Sequence, residues 1–214
     1  MSGKPVTFLL LCRPMEAMEY SGHVLLVMGG MGSGKGTLER YAFATFPQVL
    51  YAVSCTTRDP RPGEEHGKEY YFITRDVFQG KIDNGEFLEW AEFGGNLYGT
   101  LKSELLTPLV NGQLIINEIE LQGIEQIKQL IPAEYRTIVY IEAGDWTDLV
   151  NRALARAPMS PEELEKRRDR YAHEVAAKPY ADIVIDNTDG KLESAQEAFV
   201  SVIEEILTTI ETKH

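Results

Sequence analysis

The sequence contains only two cysteines, Cys12 and Cys55, among its 214 residues. So few cysteines exclude a disulfide framework and favour a reducing compartment, and we therefore expect a cytoplasmic protein. Basic residues are also scarce, because 21 lysines and arginines stand against 33 acidic residues, a net charge of −12. An acidic chain binds nucleic acid or an anionic membrane poorly. We expect neither partner.

Long apolar runs are missing as well. The stretch 6–12 is apolar, but no small-residue cleavage site follows it, and it is far too short to cross a bilayer. We therefore predict no signal peptide and no membrane segment. Because Met15 and Met18 come just before the first convincing strand, we interpret residues 1–17 as a dispensable extension.

Apolar, β-favouring runs alternate with helical patterns along most of the chain. Buried strands are predicted at 23–28, 51–54, 113–117, 136–142 and 182–185. Helices are predicted at 35–46, 101–110, 121–130, 146–155, 161–177 and 192–210. The helix at 161–177 has an N-cap serine, a proline and two glutamates at its start. This alternation predicts an α/β fold with a parallel sheet wrapped by helices.

The stretch between residues 54 and 100 differs from the rest of the chain in its residue composition and pattern. Pro60, Pro62, Gly63 and Gly67 interrupt it, and the aromatic-rich runs 70–73 and 87–93 are typical of short antiparallel strands. We interpret the stretch as a small subdomain inserted into the α/β core.

A glycine cluster follows the first predicted strand and opens the first predicted helix. Its spacing is G-x-x-x-x-G-K, and it runs through Gly29, Gly30, Met31, Gly32, Ser33, Gly34 and Lys35. Glycines let successive backbone N–H groups converge on phosphate oxygens, while the lysine and the positive helix end add charge. The cluster contains no G-x-G-x-x-G register, which disfavours a dinucleotide fold. It predicts a nucleotide-phosphate site.

One position departs from the general phosphate-loop pattern. Gly36 stands where a serine or threonine hydroxyl usually contacts Mg²⁺, and Thr37 comes one residue later. Nucleoside monophosphate kinases commonly have this G-K-G-T form. By that resemblance the metal is held mainly by phosphates and water.

The arginines are concentrated, which in an acidic protein favours a small anionic ligand. Eight of the basic residues fall in two short regions: Arg58, Arg61 and Lys68, then Arg152, Arg156, Arg167, Arg168 and Arg170. For Arg167, Arg168 and Arg170 alone, a solvated helix face is the favoured alternative.

Several motifs resemble the guanylate kinase family at matching spacing. They are S-C-T-T-R-D-P-R-P-G-E at 54–64, G-K-E-Y at 67–70, E-F-L-E-W-A at 86–91, N-L-Y-G-T at 96–100 and E-I-E-L-Q-G at 118–123. The resemblance extends from about His23 to Ile210. It implies a P-loop NTPase core (18–53, 101–151 and 174–214), a GMP-binding subdomain (54–100) and a helical lid (152–173).

The resemblance implies transfer of phosphate from ATP to GMP or dGMP, with Mg²⁺. The acceptor site it implies is Ser54, Arg58, Arg61, Tyr70, Glu89, Tyr98, Gly99, Thr100 and Glu120. Planar guanidiniums suit the dianionic phosphate, and a carboxylate accepts the N1–H and 2-amino donors that guanine presents on one edge.

The donor site it implies is Gly30, Met31, Gly32, Ser33, Gly34, Lys35, Gly36, Thr37, Arg152 and Asn187. Lys35, Arg58, Arg156 and Arg167 are the implied catalytic residues. Glu118 is assigned to the water shell of the metal, and Glu120 to the guanine amino group. The family usually has aspartate at both of these positions, so each carboxylate shifts unless the backbone compensates.

Other interpretations stay open at this point. By position alone Tyr70 is as typical of a core tyrosine, and Asn187 of a turn at the end of a strand. The whole chain could be a non-catalytic guanylate-kinase-like module that binds protein partners, or a kinase for AMP or a phosphorylated ribose. Retention of Lys35 and the arginines disfavours the module, and Glu89 disfavours the other acceptors. No obligatory protein partner is evident.

Overall fold

The computed structural model of the chain describes residues 19–30, 32–119, 121–156 and 158–212. Within these ranges the side chains of Phe93, Gln122, Arg156, Arg170 and His173 are not described. The predicted extension 1–17 and the predicted ligands Met31 and Glu120 lie outside the described residues.

Strands and helices alternate as the apolar pattern predicts. The strands are β1 (His23–Met28), β2 (Leu50–Tyr51), β3 (Cys55–Thr56), β4 (Tyr71–Phe72), β5 (Phe87–Phe93), β6 (Asn96–Leu101), β7 (Leu114–Glu118), β8 (Arg136–Glu142) and β9 (Ile183–Asp186). The helices are α1 (Lys35–Thr45), α2 (Arg75–Asp83), α3 (Lys102–Val110), α4 (Leu121–Leu130), α5 (Trp146–Arg156), α6 (Pro161–Ala176) and α7 (Leu192–Thr212).

The larger sheet has five strands in the order β2-β7-β1-β8-β9. Pairing is parallel between β2 and β7 and between β8 and β9, where Val139 lies opposite Ile183. Every residue of β1 is buried, as expected for a strand covered on both faces. The predicted parallel α/β fold is confirmed.

The smaller sheet has four strands in the order β4-β3-β6-β5. The strand β5 is antiparallel to β6, as the run 87–93 predicts, but β4 pairs in parallel with β3. The antiparallel direction predicted for 70–73 is therefore wrong. Alternation of apolar side chains indicates which face of a strand is buried, and it contains no information about strand direction.

Helix α2 is an element that the apolar pattern does not predict. The Thr74 hydroxyl caps it by accepting a hydrogen bond from the Val77 N–H at 3.3 Å. One large side chain anchors it, because Phe78 is fully buried and stacks on Phe87 with ring centroids 4.3 Å apart. Cys55 and Leu97 complete this small core.

The chain divides into two compact units. The first comprises Met1–Val24, Leu50–Asn117 and Gln122–Tyr135, and the second comprises Leu25–Val49, Glu118–Leu121 and Arg136–His214. In the second unit α1 packs against α7, and the Trp146 ring of α5 lies 5.5 Å from the Tyr171 ring of α6. Among the described residues, no helix has the length and apolar character needed to cross a membrane.

The start of α6 confirms its predicted cap. Ser160 is the N-cap, and its hydroxyl accepts the Glu163 N–H at 3.2 Å. The Glu163 carboxylate in turn accepts the Ser160 N–H at 3.1 Å, which completes a capping box. Pro161 occupies the first helical position, so residues close together in the sequence determine where the helix begins.

Candidate active site

The glycine loop between β1 and α1 curls as a phosphate-binding loop requires. Gly29, Gly32 and Gly34 all have positive φ angles, a conformation that side chains rarely adopt. Gly34 is also the N-cap of α1, and a Cβ there would lie 2.4 Å from the Asn187 amide nitrogen. No other residue fits at Gly34. The positive end of the α1 dipole therefore lies at the loop, where it favours an anion.

Lys35 begins α1 and folds its side chain back over the loop. Its ammonium donates to the Gly29 carbonyl at 2.8 Å and lies within 3.4 Å of the Gly30 carbonyl. The Glu118 carboxylate, at the end of β7, lies 3.9 Å from the same nitrogen. The lysine is thus placed beside the loop, where a phosphate oxygen can replace a carbonyl as its acceptor.

Asn187 joins the loop to the end of β9. It is buried, its side-chain amide donates to the Ser33 carbonyl at 2.7 Å, and its backbone N–H donates to the Glu142 carbonyl at 2.6 Å. Asn187 therefore fixes the phosphate loop as well as ending a strand. The Ser33 hydroxyl is buried with no hydrogen-bond partner among the described residues.

Arg152 of α5 lies beside this turn. Its guanidinium donates to the Asn187 carbonyl at 2.9 Å and, through Nε, to the Asp189 carboxylate at 3.0 Å. The sequence analysis missed Asp189. Little in the sequence points to Asp189, because an acidic residue in an exposed turn is common and its partner Arg152 lies far away in the sequence.

Glu39 is a second residue that the sequence analysis missed. It is 5% exposed on the face of α1 that also buries Leu38 and Ala42. Burial, followed by the negative charge of Glu118, raises the pKa of Glu39 well above the usual glutamate value. One carboxyl oxygen, Oε1, has no hydrogen-bond partner among the described residues. The sequence does contain an indication of this burial, because Glu39 is a charged residue on the apolar face of the helix, four positions after Lys35.

The described residues contain no group of three or more histidine, cysteine or acidic side chains that could enclose a metal ion. Mg²⁺ commonly keeps several waters and binds nucleotide phosphates with only one or two carboxylates from the protein. Glu118 is an exposed carboxylate beside the loop lysine, and Gly36 offers no hydroxyl. This donor set fits a metal that arrives with a nucleotide.

A guanidinium and three aromatic rings cluster in the first unit. Arg58 donates two hydrogen bonds to Glu64, at 2.9 and 3.0 Å, and a third to the Asp59 carbonyl at 2.7 Å. Its guanidinium carbon lies 5.6 Å from the centres of both the Tyr70 and Phe72 rings. The hydrogen bonds to Glu64 are the main reason that the pKa of Arg58 is raised.

The other predicted phosphate ligands lie on β6 or in the loop between β3 and β4. The Tyr70 and Tyr98 ring centres are 6.0 Å apart, and Tyr98 contributes to the raised pKa of Arg58. Arg61 is exposed, and its backbone N–H donates to Glu64 at 2.7 Å. The structure therefore brings Arg58, Tyr70 and Tyr98 together and leaves the Arg61 side chain in solvent.

A polar network surrounds Glu89 on β5. Its carboxylate accepts the Thr100 backbone N–H at 3.0 Å, and the Thr100 hydroxyl lies 3.1 Å from the Ser54 hydroxyl. Burial raises the pKa of Glu89, while hydrogen bonds from Thr100 oppose that rise. A Cβ at Gly99 would lie 2.8 Å from the Glu89 carbonyl, so this glycine lets the two strands approach. Ser54, Glu89, Gly99 and Thr100 are thus neighbours.

The predicted lid arginines lie on α5 and α6. Arg152 makes the contacts described above, whereas the Arg156 side chain is outside the described set. Arg167 is half-buried on α6. Both helices belong to the second unit, as does the phosphate loop.

A glycine loop between a buried strand and a helix, with its lysine beside a carboxylate, defines a P-loop nucleotide-binding protein. The family model described as guanylate kinase matches residues 21–206. A guanylate kinase of Nostoc sp. is 39% identical over 178 residues, which cover 83% of this chain and 88% of that protein. A guanylate kinase of Streptomyces coelicolor is 40% identical over 163 residues, which cover 76% and 82%.

A crystal structure of guanylate kinase from Anaplasma phagocytophilum shares the fold with a TM-score of 0.68. The match has 24% sequence identity and covers 88% of this chain and 87% of that one. The match over residues 21–206 and the relatives near 40% identity establish the family. The chain belongs to the guanylate kinase family.

Proposed function

We propose that this protein transfers the γ-phosphate of ATP to GMP, and less efficiently to dGMP, giving ADP and GDP or dGDP. This reaction is a step of purine nucleotide metabolism. We place the protein in the cytoplasm, without an obligatory protein or nucleic-acid partner. The observation that supports it most is the half-buried Glu89 carboxylate, which accepts the Thr100 N–H at 3.0 Å in the same unit as the Arg58 cluster.

The acceptor site is formed by residues of the first unit. Glu89 supplies the acceptor for the N1–H and 2-amino group of guanine, with Ser54 and Thr100 as its polar neighbours. Adenine lacks this pair of donors on the corresponding edge, so a buried carboxylate there would be left unpaired. The GMP phosphate binds to Arg58, Arg61, Tyr70 and Tyr98.

The donor site is formed by residues of the second unit. The loop 30–37 binds the ATP phosphates through backbone N–H groups and Lys35. Arg152, on the lid, closes over the same phosphates, and Asn187 lies near the adenine base. Mg²⁺, when bound, neutralises charge on the donor phosphates. Glu118 is the residue whose carboxylate would hold its water shell, and Thr37 is the nearest hydroxyl in the chain after Lys35.

Phosphoryl transfer needs alignment and charge stabilisation more than covalent help from the protein. A GMP phosphate oxygen attacks the γ-phosphorus of ATP in line with the departing ADP oxygen, so one P–O bond forms as another breaks. Lys35, Arg58, Arg156 and Arg167 offset the charge on the moving group. We propose that residues 152–173 act as a lid that excludes water from the donor phosphates, and that residues 54–100 bind the acceptor.

Two alternatives are disfavoured by specific observations. A non-catalytic binding module has no need of a lysine at 2.8 Å from the loop carbonyl of Gly29. A kinase for AMP or a phosphorylated ribose has no need of the half-buried carboxylate of Glu89 beside the Thr100 N–H.

The test is ADP release by the purified protein with Mg²⁺ and ATP, measured in turn with GMP, dGMP, AMP, CMP and UMP. We expect GMP to give the highest kcat/KM and AMP a value lower by orders of magnitude. Lys35→Met should abolish the activity, and Lys191→Met, at an exposed ion pair with Asp186, is the matched control. Equal rates with GMP and AMP contradict the acceptor, and no release with any nucleotide favours the binding module.

A further inference from the structure

Asn117 is a buried polar residue of β7, between three buried apolar residues and the exposed Glu118 that ends the strand. It follows Leu114, Ile115 and Ile116 on β7, all of which are buried, and it is itself 0% exposed. Its amide nitrogen lies 3.5 Å from the Thr100 hydroxyl oxygen, within the same unit. Its amide oxygen has no hydrogen-bond partner among the described residues.

We propose that Asn117 is a positioning residue for the guanine site, because its amide donates to the Thr100 hydroxyl and helps to hold Thr100, whose backbone N–H binds the Glu89 carboxylate. This inference rests on the proposed function, since Glu89 is the group that accepts the guanine donors. Asn117 acts through Thr100 and needs no contact with the base.

The hydrogen-bond capacity of Thr100 supports this assignment. A hydroxyl has a single proton to donate and two lone pairs that accept. The Thr100 backbone N–H donates to the Glu89 carboxylate at 3.0 Å, and the Thr100 hydroxyl can accept from its other neighbours. The amide nitrogen of Asn117 can only donate, and the Ser54 hydroxyl, at 3.1 Å, can donate as well. The two lone pairs of the Thr100 hydroxyl can therefore accept one hydrogen bond from Asn117 and one from Ser54.

The energetic cost of Asn117 also favours a functional role. A buried oxygen without a donor destabilises the folded state, and an apolar side chain of similar size would avoid that cost. The strand pattern predicts such an apolar residue at this position, because the three preceding residues are buried and apolar. Stability therefore does not explain why this position is an asparagine.

The consequence for binding concerns the charge state and direction of Glu89. Its burial disfavours the ionised carboxylate, and the Thr100 hydrogen bonds oppose that effect. A carboxylate that is ionised and held in place accepts both guanine donors, whereas a protonated one loses an acceptor position. Asn117 thus contributes to guanine affinity and hardly at all to the chemical step.

The experiment compares Asn117→Leu with wild type and with Ile116→Val, which changes only packing at the adjacent buried residue. Steady-state rates give kcat and the KM values for GMP and ATP, and thermal unfolding gives the midpoint. For Asn117→Leu we expect the KM for GMP to rise about tenfold, the effect of one lost hydrogen bond. The kcat and the KM for ATP should stay within about twofold, and the thermal midpoint should be equal or higher.

Ile116→Val should lower the midpoint and leave the KM for GMP unchanged. If Asn117→Leu does not fold, Asn117→Ala deletes the same amide without adding volume. An unchanged KM for GMP in a folded Asn117 variant overturns the proposal. A rise in the KM for GMP that is equally large in Ile116→Val overturns it as well. A wild-type protein that does not phosphorylate GMP instead contradicts the proposed function itself, so the two failures are distinguishable.

Discussion

Arg58 and Glu64 form a two-point ion pair, with Nη1 to Oε2 at 2.9 Å and Nη2 to Oε1 at 3.0 Å. The same carboxylate accepts the Arg61 backbone N–H at 2.7 Å. Glu64 therefore fixes both the plane of the Arg58 guanidinium and the loop between β3 and β4. We propose that the guanidinium N–H groups that are not bound to Glu64 or to the Asp59 carbonyl bind the GMP phosphate.

Replacing Glu64 with alanine should weaken GMP binding, because the guanidinium then samples many orientations. We expect the KM for GMP to rise roughly tenfold, within the range of a charged hydrogen bond. Titration calorimetry with GMP measures the effect directly. Tighter binding of GMP would show instead that Glu64 competes with the phosphate for Arg58.

Arg58→Ala should lower kcat and raise the KM for GMP together. A group that binds the acceptor phosphate and also stabilises the moving phosphoryl group acts in both the ground state and the transition state. We expect a loss in kcat/KM of at least about 100-fold. Arg75→Ala is the matched control, because Arg75 pairs with Glu92 at an exposed position of the same unit. An unchanged kcat in folded Arg58→Ala removes this residue from the chemistry.

Glu118→Gln should depress kcat about 10- to 100-fold while GMP binding is almost unchanged, because a carboxylate that orders water around a metal serves the transition state. The loss should depend on Mg²⁺ concentration. Glu120→Gln is the comparison and should instead weaken GMP binding. Glu118→Asp tests the effect of the methylene by which glutamate is longer than the aspartate usual in the family. Full activity of this variant means that the site tolerates either side-chain length. Poor GMP binding with normal turnover in Glu118→Gln would reverse the two assignments.

Glu39→Leu should raise the stability of the protein without nucleotide. The pKa of Glu39 is raised chiefly by burial, so the protonated carboxyl stabilises the fold at acidic pH. That contribution is lost as pH rises from the ordinary glutamate value through the raised pKa, because the unfolded chain releases the proton first. We expect the leucine variant to gain about 1–3 kcal/mol over wild type at neutral pH, and less near pH 4.

Thermal unfolding across this pH range measures the difference. Glu197→Leu, on the exposed side of α7, is the control for losing a surface charge. A stability gain that is the same at every pH contradicts the account of Glu39.

Local signals predicted the frame of the fold well. The glycine loop, β1 and the capped start of α6 each depend on residues close in sequence, and the structure places all three as predicted. Helix α2 was missed because its cap at Thr74 is a single hydroxyl and only Phe78 anchors it. Its stability comes from the Phe87 ring, which lies on another strand.

Parts of the candidate site depend on distant pairs and could not be predicted in the same way. The contacts of Arg152 with Asp189 and of Asn117 with Thr100 join residues that only the folded chain brings together. The burial of Glu39 likewise depends on what packs against α1. The family resemblance predicts which residues bind the nucleotides, and the contacts of these residues with one another required the three-dimensional structure.

The most direct test of the central claim is the fate of the labelled γ-phosphate of ATP. The protein is incubated with Mg²⁺, γ-³²P-labelled ATP and an equimolar mixture of GMP and AMP, and the nucleotides are then separated. The proposed function predicts label in GDP, almost none in ADP, and none in either product with Lys35→Met. Label in ADP at a level equal to that in GDP, or release of the label only as inorganic phosphate, would contradict it.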